Sequence, residues 1–134
     1  MALIALTTAN KVEVVESIIQ LTLPAAEAIT AGAPVRIDTS GLFTPSNGTS
    51  TTEADTYGIA TRTVAAGEAL TAIRKGVMDG FTFSQAYSAT IYVSDTDGRL
   101  GDAAGTTSKV AGKVIPATAT TLGTAYDKVL FVDL

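Results

Sequence analysis

The chain has 134 residues with no cysteine and no histidine, and its formal net charge of -4 is spread along it. These absences exclude thiol nucleophiles, disulfides, Cys/His zinc sites and histidine general bases. The sequence has no basic stripe with interleaved aromatics and no apolar run near the ~20 residues of a membrane span, so we expect no direct nucleic-acid or membrane partner. The length suits one domain.

The first segment, residues 1–11, is small and apolar, without the periodicity of a packed element. It is either a frayed terminus or an extended arm that orders against a neighbour through Leu3, Ile4 and Leu6. It lacks the basic flank of a signal peptide, so we expect a protein made in a cytoplasm.

Residues 11–23 alternate apolar and polar side chains, and the alternation slips near Val15. This pattern predicts one or two strands with a bulge or a break at the slip. A helix is the competing interpretation, because Val12, Val15 and Ile19 are also spaced for one helical face. The β-branched content and the following Pro24 favour the strand.

A hairpin is predicted next, with a strand at 35–38, a turn on Gly41 and a return strand at 42–44. Asp38 suits the first turn position, because its carboxylate can accept local backbone N–H groups. The following segment, 45–56, is polar and aperiodic, and we predict a long loop that is mobile or engaged with a partner.

Further strands are predicted to the end of the chain, separated by glycine-rich or small-residue turns. We expect Lys75 and Gly76 to end one of them. The predicted strands cover residues 57–64, 69–74, 77–83, 90–93, 110–115 and 127–134, with small-residue connections at 101–108 and 117–126.

The two parts of the chain repeat one order of features. An Asp-Thr-x-Gly turn at 38–41 returns at 95–98, and in each part a glycine-containing strand and then an apolar strand follow. We therefore expect an all-β fold, a small closed or partly open β-barrel or sandwich built from two similar halves. Residues 1–23 would form an extended N-terminal arm and the first strands, and 24–134 the barrel-like domain.

No string of residues predicts reactive chemistry. The segment 95–98 opens like a calcium loop, but the twelfth position is Thr106 rather than glutamate. The aspartates lie mostly in turns, and the sequence singles out no carboxylate pair for acid–base work. We therefore expect neither an enzyme nor a metal or cofactor site.

Several short motifs, in order, resemble those of the tailed-phage capsid cement (head decoration) proteins. They are Ala-Gly-Ala-Pro-Val at 31–35, Tyr-Gly-Ile-Ala at 57–60, Ala-Ala-Gly-Glu at 65–68, Lys-Gly-Val at 75–77 and Gly-Lys-Val at 112–114. The resemblance implies a structural virion protein on the capsid exterior that cements neighbouring major capsid subunits. It also implies a homotrimer at three-fold or quasi-three-fold positions.

On this hypothesis, the apolar arm and the long loop contact the capsid or another subunit. A carbohydrate- or host-surface-binding module of a phage tail or fibre is the alternative, although it normally needs exposed aromatic platforms. A hydrolase using aspartates of the turns is a third hypothesis. The candidate interface residues are Leu3, Ile4, Leu6, Lys11, Asn47, Thr49 and Glu53.

Overall fold

The computed structural model describes residues 2–117 and 128–134, and in this part the chain forms eleven strands and no helix. The strands are β1 (Ala5–Leu6), β2 (Glu13–Pro24), β3 (Pro34–Ile37), β4 (Phe43–Pro45), β5 (Gly58–Ala60), β6 (Ala69–Asp79), β7 (Phe81–Thr82), β8 (Thr90–Val93), β9 (Leu100–Gly101), β10 (Val110–Pro116) and β11 (Lys128–Asp133). None of the described residues belongs to a helix long and apolar enough to cross a membrane.

Most of these strands form one antiparallel sheet that curls strongly into a half-barrel, while β1 and β7 form a small second sheet. This arrangement confirms the predicted all-β, partly open barrel. The long strand β6 is its centre. One edge of β6 pairs with β2 from Ala69 to Asp79. The other edge pairs first with β5 and then with β11, so the sheet divides into two branches.

The two branches repeat the same pairing order, which confirms the two similar halves. One branch runs β4-β3-β5-β6, and the other runs β9-β8-β10-β11. The register repeats as well: Ile59 pairs with Ile73 in the first half, and Lys113 pairs with Phe131 in the second. Both Asp-Thr-x-Gly turns close a hairpin with their glycine at positive φ, 80° at Gly41 and 67° at Gly98.

The buried residues form two clusters on opposite faces of β5 and β6, because successive residues of a strand point to opposite faces. Ile59 and Ile73 belong to one buried cluster, whereas the adjacent Ala60 and Ala72 belong to the other. Val35 of the first hairpin and Ile91 of the second are fully buried in these two clusters. Aliphatic residues supply nearly all of this burial, as the low aromatic content predicted.

Two predicted boundaries were wrong. The strand expected to end at Gly76 continues through it as β6. β2 runs so close to β6 at this point that a Cβ on residue 76 would meet the carbonyl oxygen of Glu16. The glycine therefore permits close strand approach. The strand predicted over 57–64 ends at Ala60, and Val64 then makes an isolated bridge to Ile29.

The predicted slip in the N-terminal strand is real. The β2–β6 register shifts between Val14 and Glu16 and again between Ser17 and Ile19. Val15 and Ile18 are the extra residues at these bulges. The helical alternative was therefore wrong, and the segment is a bulged strand of twelve residues. The predicted connection at 117–126 lies, apart from Ala117, outside the described residues.

Candidate interaction surface

Strand β2 is an edge strand with one free side. Its backbone pairs with β6 from Glu13 to Pro24. Among residues 2–117 and 128–134, no other strand pairs with it. A free edge is a template for adding another strand, and proteins usually protect such edges with charged residues, proline, bulges or short length. β2 has two glutamates and two bulges between Glu13 and Ile19, whereas residues 17–24 carry no charge and the only proline is the last residue.

This edge strand exposes four large aliphatic side chains, which we call the β2 surface: Val14, Val15, Ile18 and Ile19. Val15 is 62% exposed and Ile18 55%. Because these two are the extra residues at the bulges, the bulges account for their outward position. Single exposed aliphatic residues are common, but four within six positions of an unpaired edge expose an unusual amount of apolar surface, as protein-binding sites do.

Charge is unevenly distributed along β2. Glu13 and Glu16 lie in its N-terminal half, whereas residues 17–24 carry no charge. In the uncharged half, the Ser17 hydroxyl donates to the Gln20 side chain over 2.7 Å, and the hydroxyls of Thr22 and Thr71 lie 2.6 Å apart. The strand therefore has an acidic end, an aliphatic centre and an uncharged end.

The N-terminal segment, predicted as an arm or a frayed terminus, lies along its own domain. Ile4 is only 5% exposed and belongs to the larger core, so its side chain does not line an exposed surface. Leu6 is half-buried against that core, whereas Leu3 and Lys11 are exposed. The segment is tied down because Ile4 donates its N–H to Leu100 and β1 pairs with β7.

The predicted loop residues Asn47, Thr49 and Glu53 lie together. The Asn47 side-chain oxygen accepts the Thr49 N–H over 3.1 Å, and the Asn47 N–H reaches the Glu53 carbonyl. Glu53 also forms an ion pair with Arg36 at 3.2 Å. The exposed Thr49 is therefore presented by a loop with defined internal hydrogen bonds. The other exposed candidates, Leu3 and Lys11, belong to the N-terminal segment instead.

The calcium-like turn has a structural role. The Asp95 carboxylate accepts the N–H of Thr106 over 2.9 Å and its hydroxyl over 2.8 Å. Gly48 also donates its N–H to Ser94 and accepts from Thr107, so three loops meet here. Within residues 2–117 and 128–134, no three acidic side chains come together in a way that could hold a metal ion.

Two open grooves flank the N-terminal segment. The larger, of about 650 Å³, is lined by Lys11, Glu13, Asp79, Phe83, Tyr87 and Lys128, among others. Tyr87 is the exposed aromatic residue there, and the Lys128 ammonium lies 5.4 Å from its ring centre. Tyr57, by contrast, packs against Phe43. The described residues thus show one exposed tyrosine in this groove, partly covered by a lysine, rather than an aromatic platform.

Sequence reasoning did not single out the β2 surface. The sequence did contain a sign of this surface: apolar residues lie on both sides of the break in alternation near Val15, and they cannot all face one core. The missing information was that the domain covers only one edge of the strand and leaves both of its faces exposed from Glu13 to Gln20.

No family model matches the chain, and neither the curated proteins nor the solved structures contain a match.

Proposed function

We propose that the protein is a structural virion component that binds the outer surface of an assembled tailed-phage capsid and cements neighbouring major capsid subunits. The observation that carries this proposal is the β2 surface, an aliphatic patch on an unpaired strand edge. Such a surface suits a protein whose function is to bind another protein. Cementing needs no chemical reaction, so this function asks only for a surface that binds protein.

The order of the short motifs over residues 25–134 supports the proposal. The Ala-Gly-Ala-Pro-Val motif that resembles cement proteins includes the start of β3, and Tyr-Gly-Ile-Ala contains β5, which pairs with β3. Gly-Lys-Val lies in β10. The motifs are therefore parts of one sheet framework. A repeated rigid β framework is suited to holding weak contacts at many capsid positions, where multivalency raises total binding.

Binding to capsids tests the proposal directly. Purified protein would be mixed with expanded, DNA-free heads of the phage that encodes it, and bound copies counted after sedimentation. We expect saturable binding and a higher temperature of head disruption. Thr49→Ala and Lys11→Ala, which alter exposed candidate interface residues, are expected to weaken binding, whereas Thr39→Ala on an exposed hairpin turn is the matched control. Absence of saturable binding by wild type would overturn the proposal.

A carbohydrate-binding function is the alternative, and the exposed Tyr87 is the observation that would favour it. A glycan array separates the two functions. Specific binding that is lost in Tyr87→Ala would favour the carbohydrate hypothesis over cementing, and an array without binding would count against it.

A further inference from the structure

We propose that the partner of the β2 surface is a second copy of this chain, joined across a two-fold axis with the two β2 strands antiparallel. Ile18 of both copies would lie at the centre of the interface, flanked on each side by Val15 of one copy opposite Leu21 of the other. The inference rests on the proposed function, because both require this surface to be covered by protein; here β2 joins two copies, and the exposed Lys11 and Thr49 are left to contact the capsid. It also replaces the three-fold trimer implied by the family resemblance with a dimer.

The first argument is length. β2 has twelve residues and spans about 40 Å at ~3.3 Å per residue. The strands at the ends of the two branches, β4 and β9, have three and two residues. Within the part of the chain that the structure describes, another copy's β2 is therefore the matching edge. A cyclic trimer that joined β2 to a different edge would leave most of β2 uncovered.

The second argument is charge. An antiparallel pair centred on Ile18 places Glu13 opposite Leu23 and Glu16 opposite Gln20 of the other copy, so both acidic residues face uncharged ones. A parallel pair in register would place Glu13 against Glu13 and Glu16 against Glu16, and like charges directly opposite are destabilising. Charge along the strand therefore favours the antiparallel pair.

The third argument is symmetry. Around a two-fold axis every contact occurs twice, so the strand must be complementary to itself. With the axis at Ile18, this residue meets Ile18 of the other copy, and each acidic end meets an uncharged end. Val15, which like Ile18 is directed outward by a bulge, lies opposite Leu21 of the other copy, so pairing removes apolar surface of both residues from water.

Mass in solution is the first measurement, and it is made on the free protein so that it does not depend on capsid binding. One chain has a mass of 13.6 kDa. Light scattering is expected to give about 27 kDa, which is twice that value. A mass of one chain or of three chains at tens of micromolar protein would overturn the dimer. Failure to bind heads by a stable dimer would overturn the proposed function alone.

Substitution locates the interface. Ile18→Asp together with Val15→Asp is expected to raise the dimer dissociation constant at least ~100-fold, because burying unpaired carboxylates is unfavourable. Ile37→Asp changes another exposed isoleucine, at the end of β3, and should leave the dimer intact. A dimer that persists in the double variant would place the interface elsewhere.

Cysteine cross-linking tests orientation and keeps the proposal falsifiable if the aspartate variant does not fold. The natural chain has no cysteine, so any disulfide joins the introduced residues. Ile18→Cys, at the axis, is expected to form a covalent dimer on mild oxidation. Val14→Cys mixed with Thr22→Cys should give the mixed disulfide, whereas Val14→Cys alone should not, because eight residues along each strand separate the two sites by about 26 Å. Efficient linking by Val14→Cys alone would indicate parallel strands and overturn the proposal.

Discussion

Gly58 and Gly112 occupy equivalent positions in the two halves of the sheet, and each lies against a backbone carbonyl of the neighbouring strand. A Cβ at Gly58 would lie 2.7 Å from the Ile73 oxygen, and a Cβ at Gly112 would meet the Phe131 oxygen more closely still. Ile73 and Phe131 are themselves equivalent, as the pairs Ile59–Ile73 and Lys113–Phe131 show. Both halves therefore use the same close approach of strands.

Substituting either glycine tests this equivalence. Gly58→Ala and Gly112→Ala are each expected to lower the free energy of unfolding by about 1–3 kcal/mol, because backbone atoms cannot move aside as a flexible side chain would. Gly112→Ala should have the larger effect. Urea denaturation followed by far-ultraviolet circular dichroism measures both values.

The control for these variants is Gly41→Ala. A Cβ there meets nothing within 4 Å, so its cost comes from the positive φ of 80° and should be about 1 kcal/mol. If all three variants were equally stable, close strand approach would not explain the glycines at 58 and 112.

The sequence predicted the repeat because each half carries its own local signals. Asp38 illustrates this: its carboxylate accepts the N–H groups of Ser40 and Leu42, at 2.8 and 3.0 Å, as the turn chemistry predicted. Bulge and hairpin positions depend on residues close in sequence, so they were also predictable. That strand β6 continues through Gly76 could not be predicted, because the close approach there involves Glu16, a residue sixty positions away.

The candidate surface was harder to predict for the same reason. Whether Ile18 is buried depends on what covers β2, which no local pattern specifies. Ile4 shows the opposite case: its segment was predicted to be either a frayed terminus or an arm on a neighbour, and Leu100 and the larger core of the same chain hold it. An apolar residue in an irregular segment does not reveal which partner buries it.

The buried position of Ile4 gives a second prediction. Ile4→Ala is expected to lower the free energy of unfolding by about 2 kcal/mol, the low end of the range for a buried isoleucine. Thermal unfolding measures this change. Leu3→Ala is the matched control, since Leu3 is 39% exposed, and its effect should stay within about 0.5 kcal/mol. Equal effects of the two variants would contradict the packing of this segment.

The Asp95 carboxylate gives a third prediction, because it holds the loop at residues 102–108. Asp95→Ala removes both acceptors of Thr106 and should destabilise the protein by about 1 kcal/mol. Amide hydrogen exchange at Thr106 and Thr107 should become faster. Asp55→Ala, which removes another exposed carboxylate, should change neither quantity; unchanged exchange in Asp95→Ala would contradict the role of Asp95.

The ion pair between Arg36 and Glu53 gives the fourth prediction, and it tests whether Glu53 fixes the 46–56 loop. Their side chains are 19% and 35% exposed and 3.2 Å apart, so the pair is only partly screened by water. A double-mutant cycle with Arg36→Met and Glu53→Gln is expected to give a coupling free energy of about 0.5–1 kcal/mol at low salt. At about 1 M NaCl the coupling should shrink, because the Debye length falls to roughly 3 Å.

Arg62 and Glu68 provide the matched control cycle. Arg62 donates to the Ala69 carbonyl, and Glu68 accepts the Ala65 N–H, so both are exposed and engaged with backbone rather than with each other. Their coupling should lie within about 0.3 kcal/mol of zero. If the Arg36–Glu53 coupling were equally small, Glu53 would be available to a partner without loosening the loop. A measurable coupling instead means that Glu53→Gln alters loop geometry, so an effect of this variant on capsid binding would be indirect.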